Sequence, residues 1–222
     1  MRTEDIDIDL ALRYMGIKDE APDDLMLQVS DCVRELCECV SPKYMYKLFD
    51  IEDTQDGISV VGTDLVLSGD SIRKHLSGCT RCVLLCATLS AAADTLIRRY
   101  SAYDMTRSFI IDCISGSAVE SVCDQAEKDM RAKLPDKFFT WRFSPGYGDL
   151  PLGLQRDFLA VLNAGKRIGL NVTDSMMLVP SKSVTAVIGV SDVPVLQKNR
   201  GCQDCNMFET CSFRKGGLHC GS

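Results

Sequence analysis

A chain of 222 residues, 45% hydrophobic and 25% charged, carries enough apolar material for one large domain, alone or with a short appendage. Its net charge of −6 gives nucleic acid and anionic membranes no electrostatic footing, and no apolar run approaches the roughly 20 residues of a membrane-spanning helix. Met1-Arg2-Thr3-Glu4-Asp5-Ile6-Asp7 is acidic where a signal peptide would be apolar, so the expectation is a cytoplasmic protein with reduced thiols and no nucleic-acid or membrane partner.

The pattern predicts a helix over residues 22–40, opened by Pro22, Asp23 and Asp24, with Leu25, Val29, Cys32, Leu36 and Val40 at helical spacing. Residues 43–68 read as short strands, in which Ile58–Val61 and Leu65–Leu67 flank a hairpin-like Gly62-Thr63-Asp64. A short helix follows at Asp70–Leu76, ended by Gly78. Arg81–Leu89 reads as a buried strand with Cys82, Leu84 and Cys86 on one face. Cys79-x-x-Cys82 invites a redox or metal reading, but its strand context favours ordinary buried thiols. Helices are predicted over Ser90–Arg99 and Met105–Leu134, the second with small residues Gly116, Ser117 and Ala118 for close packing at its middle. Residues 138–143 read as a strand, 151–166 as a helix, and 175–190 as strand, turn and strand around Pro180-Ser181-Lys182. Strand pairs and long helices without regular βαβ alternation point to an α+β fold. No glycine-rich strand-to-helix turn is present, which argues against a Rossmann-type site. The domain is expected over 1–195, with a Cys-rich tail over 196–222.

One segment concentrates chemical information. Arg142-Phe143-Ser144-Pro145-Gly146-Tyr147-Gly148-Asp149 follows the chain's one tryptophan, Trp141. Pro145 fixes its own φ, while Gly146 and Gly148 permit positive φ and close backbone approach. Arg142 can offer a bidentate fork to a carboxylate, and Tyr147 a ring and a hydroxyl. On the residues alone, a tight turn after a strand explains the segment equally well. A second block runs from Gly169-Leu170-Asn171-Val172-Thr173-Asp174-Ser175 through Met176-Met177-Leu178-Val179-Pro180-Ser181-Lys182-Ser183-Val184.

Together the two blocks resemble the activation domain of cobalamin-dependent methionine synthase, with its Arg-x-x-Pro-Gly-Tyr signature and its later Leu-Thr-Glu-Ser, Met-x-Pro-x-x-Ser-Val passage. The resemblance spans roughly residues 138–190. It implies a curved single domain, with a twisted antiparallel sheet flanked by helices, that binds S-adenosylmethionine. It implies contacts from Arg142, Tyr147, the main chain at Ser144 and the loop at Gly146. An acidic residue on the preceding long helix also belongs to the family's site, and Ala118-Val119-Glu120 makes Glu120 the candidate. Thr173, Asp174 and Ser183 are expected to serve turns and caps.

Two departures stand out. The family continues its signature with proline, whereas this chain has Gly148-Asp149, and no counterpart of the family's aromatic-rich acidic N-terminal segment is evident. In the full-length family enzyme the domain supplies the methyl group that rescues oxidised cobalamin, a displacement that requires no acid–base residue. With only His75 and His219, no catalytic side chain is assigned. The chain lacks cobalamin-, folate- and homocysteine-binding modules. The resemblance therefore implies a stand-alone reactivation component, with the cobalamin held on a partner methionine synthase or other corrinoid protein.

The tail carries the second chemical feature. Of twelve cysteines, eight lie between Cys32 and Cys123 among aliphatic residues, and four crowd the end as Cys202-x2-Cys205-x5-Cys211-x8-Cys220. Four thiolates at such spacing suit zinc or an iron–sulfur cluster, and the spacing does not choose between them. The rival functional reading is a metal-containing electron-transfer or assembly protein for a corrinoid enzyme, in which the Pro-Gly-Tyr segment is structural. A third is an adaptor that docks on a corrinoid protein and performs no chemistry.

Overall fold

Pro22 precedes the first helical residue, as its missing N–H permits, and a helix runs from Asp23 to Cys39 with Val29, Cys32, Val33 and Leu36 buried. The structure is a computed structural model and describes residues 1–17, 20–195 and Glu209. In chain order the elements are α1 (Ile8–Tyr14), α2 (Asp23–Cys39), β1 (Lys43–Asp53), β2 (Ile58–Val60), β3 (Val66–Leu67), α3 (Asp70–His75), β4 (Arg81–Thr88), α4 (Ala91–Ser101) and α5 (Met105–Lys133). There follow β5 (Phe138–Phe139), α6 (Gln155–Leu162), α7 (Ala164–Ile168), β6 (Asn171–Val172), β7 (Leu178–Val179) and β8 (Ser183–Ser191), with short 3-10 turns at Thr3–Asp5 and Leu152–Leu154. The fold is α+β, as expected. Among the described residues no helix is long and apolar enough to cross a membrane.

The chain divides into two compact units, each assembled from separate segments. The first comprises Met1–Met45, Cys86–Asp129 and Asn163–Val184; the second comprises Tyr46–Leu85, Met130–Leu162 and the chain from Thr185 on.

In the first unit α2 packs on α4, and Leu36, Leu96, Ile110, Ile111 and Ile114 are buried. The small residues predicted at the middle of α5 do permit close packing, and their partner is α1. A Cβ on Gly116 would lie 3.2 Å from the Tyr14 ring, and the Ser117 hydroxyl donates to the Asp7 carbonyl at 2.5 Å. The sequence reading does not anticipate α1. It is seven residues long and buries only Ala11, so it carries no apolar stripe, although Asp7 caps it by accepting from the Leu10 N–H at 2.9 Å.

The sheet has the order β3-β2-β1-β4-β8-β5 and is antiparallel. The expected hairpin is present. Ile58 faces Leu67, and Thr63 closes the turn by donating to the Val60 carbonyl (2.8 Å) and accepting from the Leu65 N–H (3.1 Å). All of β4 except Arg81 is buried, which is why its sequence is an apolar run instead of an alternation.

One expectation changes in detail. The helix predicted over 151–166 breaks at Asn163, whose φ of 55° is left-handed, so α6 and α7 are separate. The strand, turn and strand expected around Pro180 are present as β7 and β8. Strand β7 pairs with β6, forming a small two-stranded sheet, while β8 enters the main sheet.

Candidate functional site

The signature segment begins with a register slip. Phe138 faces Ser191 and Phe139 faces Val190, the Thr140 N–H bonds to the Gly189 carbonyl at 3.0 Å, and Phe143 faces Val187. Trp141 and Arg142 therefore share one opposing residue, Ile188, which defines a β-bulge. A bulge interrupts side-chain alternation and re-aims the residues within it. Here it delivers Trp141 and Arg142 side by side, both half-buried.

Thr140 secures the bulge. Its hydroxyl oxygen accepts the Gly189 N–H at 2.7 Å, taking the place of a ladder carbonyl, and it lies 2.7 Å from His75 Nε2. Gly189 is required at this point. A Cβ there would lie 2.6 Å from Cys79 Sγ and 3.0 Å from both Leu76 and Thr140.

Beyond Phe143 the chain closes on itself. The Tyr147 N–H bonds to the Ser144 carbonyl (3.0 Å), that of Leu150 to the Tyr147 carbonyl (3.0 Å), and that of Gly146 to the Leu150 carbonyl (2.8 Å). Gly146, at φ 90°, thus has its N–H committed within the loop. The departure at Gly148-Asp149 now has a structural explanation. Gly69 begins α3 and has no side chain to cap it, so the Asp149 carboxylate accepts the Asp70 N–H (2.7 Å) and the Ser71 N–H (2.9 Å). These bonds hold the carboxyl below the ordinary Asp range, the Ser71 N–H contributing most.

Aromatic rings line the start of the loop. Trp141 lies 4.7 Å from His75, 5.1 Å from Phe143 and 5.8 Å from Tyr147, and Phe143 lies 5.7 Å from Tyr147 (centroid distances). Edge-on geometries dominate, as ring quadrupoles favour. Arg142, Ser144, Gly146 and Tyr147 are brought together by this one loop of the second unit. Glu120 belongs to the first unit, on α5, one turn beyond the Gly116–Ser117 seat of α1.

The second motif block is structural in this chain. The Ser181 N–H and hydroxyl bond to Asp94 (2.9 and 2.5 Å), and Lys182 Nζ bonds to the Asp112 carboxylate (2.8 Å) and carbonyl (3.0 Å). The Ser183 hydroxyl lies 2.7 Å from the Pro180 carbonyl and 2.8 Å from Thr88 Oγ1, while Thr173 Oγ1 accepts the Met177 N–H at 3.1 Å.

Among the described residues no cluster of three or more His, Cys, Asp or Glu could hold a metal. Cys202, Cys205, Cys211 and Cys220 lie outside the described residues. Among the described thiols Cys32, Cys82, Cys86, Cys113 and Cys123 are buried, Cys37 and Cys79 are half-buried and Cys39 is exposed. Burial pushes Cys32 and Cys113 up to about 11, and Cys82 and Cys86 up to about 12. Cys79 is raised by burial as well, so Cys79-x-x-Cys82 lacks the stabilised thiolate that a redox pair requires.

Sequence reasoning missed Thr140, His75 and Asp149. Asp149 was legible only as a departure from the family pattern, and nothing local marks Thr140, whose partner is 49 residues away.

This α+β architecture, with its bulged strand running into a Pro-Gly-Tyr loop, is the activation-domain fold. A crystal structure of the MetH reactivation domain bound to AdoHcy aligns with 99% of this chain and 85% of its own, at a TM-score of 0.66 and 13% identity. No model of a known protein family matches the chain, and no curated protein matches it in sequence.

Proposed function

We propose that this protein binds S-adenosylmethionine through the Arg142–Tyr147 loop and donates its methyl group in the reductive methylation of cob(II)alamin on a partner methionine synthase or related corrinoid methyltransferase. One observation supports this reading above the others: the fold it shares over 99% of its length is that of a reactivation domain crystallised with AdoHcy. The loop chemistry agrees with it. Arg142 suits the ligand's carboxylate, and Tyr147 has a ring already oriented by Trp141 and Phe143. The main chain at Ser144 would complete the loop's contribution. Family resemblance alone supports Glu120, and titration of Glu120→Gln with the ligand tests it.

The chemistry asks little of the side chains. An external reductant gives one electron to cob(II)alamin. The resulting cob(I)alamin attacks the sulfonium methyl, a cobalt–carbon bond forms, the carbon–sulfur bond breaks, and S-adenosylhomocysteine leaves. The protein's task is to hold the methyl in line and exclude water. On spacing alone, Cys202, Cys205, Cys211 and Cys220 are proposed to bind one metal centre, iron–sulfur or zinc.

Calorimetry with S-adenosylmethionine tests the reading. Arg142→Ala is expected to weaken binding by about 1–3 kcal/mol, roughly 5- to 150-fold. Absence of binding by the pure protein, and also with a corrinoid partner added, would refute it.

A further inference from the structure

The Pro-Gly-Tyr loop is closed by its own backbone bonds, so its placement depends on what it is fastened to. Its far end is fastened to α3 through Asp149, which accepts the N–H groups of Asp70 and Ser71 at 2.7 and 2.9 Å. The fit excludes side chains on both surfaces. A Cβ on Gly69 would lie 2.6 Å from Asp149 Oδ1, and one on Gly148 would lie 2.6 Å from Ser71 Oγ, where φ is already +54°. One residue separates this fastening from Tyr147 and two from Gly146.

We propose that Asp149 is a positioning residue for the ligand: by clamping the loop onto the first turn of α3, it holds Tyr147 and the Arg142–Gly146 backbone in the geometry that binds. This inference rests on the ligand reading above. Asp149 is itself exposed, so its bonds compete with water and contribute little to global stability. Its effect is therefore expected in loop placement and affinity instead of in unfolding. The charged groups that α3 brings nearby are Asp70, Arg73, Lys74 and His75. Arg73 is committed to Asp53 and the Thr54 and Gln55 carbonyls, and His75 to Thr140. The neighbouring loop contributes Arg142 and Tyr147. Because the carboxyl is depressed below its usual value of 3.8, the clamp is complete above that pH and is released as pH falls through the lower folded-state value.

The full chain offers a ligand-free readout, since Trp141 is the one tryptophan and Tyr147 packs on it at 5.8 Å. Acrylamide quenching of Trp141, calorimetry with S-adenosylmethionine and urea unfolding would be compared for wild type, Asp149→Asn and Gly148→Ala. Both variants should expose Trp141 at neutral pH and bind about tenfold more weakly, while unfolding at nearly the wild-type urea concentration. Wild-type quenching should rise toward that of Asp149→Asn on acidification below 3.8, with the variant flat over the same range. If Asp149→Asn does not fold, Ser71→Ala, which removes only the hydroxyl facing the same carboxylate, should show a smaller loss of affinity. Unchanged quenching and affinity in Asp149→Asn overturn the clamp, and changed quenching with unchanged affinity overturns its role toward the ligand. Absence of binding by wild type is seen before any variant is made, and it overturns the proposed function together with this role.

Discussion

Replacing Thr140 with valine removes one hydroxyl from the bulge and nothing else of similar size. Thr140 is 6% exposed, so the Gly189 N–H it satisfies at 2.7 Å has little access to water. Leaving a buried backbone donor unpaired costs about 1–3 kcal/mol, and the lost bond to His75 adds about 0.5–1.5 kcal/mol. The expected destabilisation is therefore about 1.5–4.5 kcal/mol, a large share of a typical domain's stability. Thr140→Ser keeps the hydroxyl and sacrifices one buried methyl, about 1 kcal/mol. Urea unfolding followed by Trp141 fluorescence and by circular dichroism measures both variants, and coincidence of the two signals shows whether one transition describes the chain. Ligand affinity should fall in Thr140→Val but hold in Thr140→Ser, because the bulge that places Arg142 loses its support only in the former. A loss below about 0.5 kcal/mol in Thr140→Val would show that the Gly189 N–H finds another partner, and would refute the account of the bulge.

Glu35 receives Arg99, both Tyr100 contacts and Arg107. Burial alone would raise its carboxyl, but the Tyr100 and Arg107 hydrogen bonds outweigh it and the value falls below 4.5. Its stabilisation is therefore present at neutral pH and lost as pH drops through the depressed value; Glu35→Gln should cost about 1–3 kcal/mol at pH 7 and flatten unfolding stability in that acid range. Iodoacetamide at mildly alkaline pH, read by peptide mapping, should label exposed Cys39 and spare Cys82 and Cys86, whose thiols ionise only near 12, until urea is added. Anaerobic purification with metal analysis should find one centre per chain, lost when Cys202, Cys205, Cys211 and Cys220 are changed to serine; metal-free protein would refute that assignment.

What the sequence disclosed was decided by local chemistry. The amphipathic stripe of α2, the Thr63 hairpin and the uninterrupted apolar run of β4 are properties of neighbouring residues, and each is found where expected. The Arg142–Tyr147 loop was legible for the same reason, since Pro145 fixes its own φ and Gly146 and Gly148 permit the positive φ that the turn uses. What escaped depends on distant partners. Helix α1 is held by the middle of α5, more than a hundred residues away at Ser117. Asp149 caps a helix 78 residues earlier, and Thr140 supports a glycine on another strand. The β7 pairing was obscure because β6 and β7 are two residues each, too short to show a period, and only tertiary context brings them together.

The three-segment makeup of each unit constrains the order in which the protein can be made. The first unit needs Asn163–Val184, which includes the start of β8, and the second needs the rest of β8 from Thr185, so neither is complete until synthesis has reached β8. An emerging chain cannot finish an N-terminal piece and then add to it, as successive domains ordinarily do. Helices α2 and α4 and most of α5 leave the ribosome before the last segment of their own unit, Asn163–Val184, has been made. Truncation before Ser183, the first residue of β8, should therefore leave both units incomplete at once.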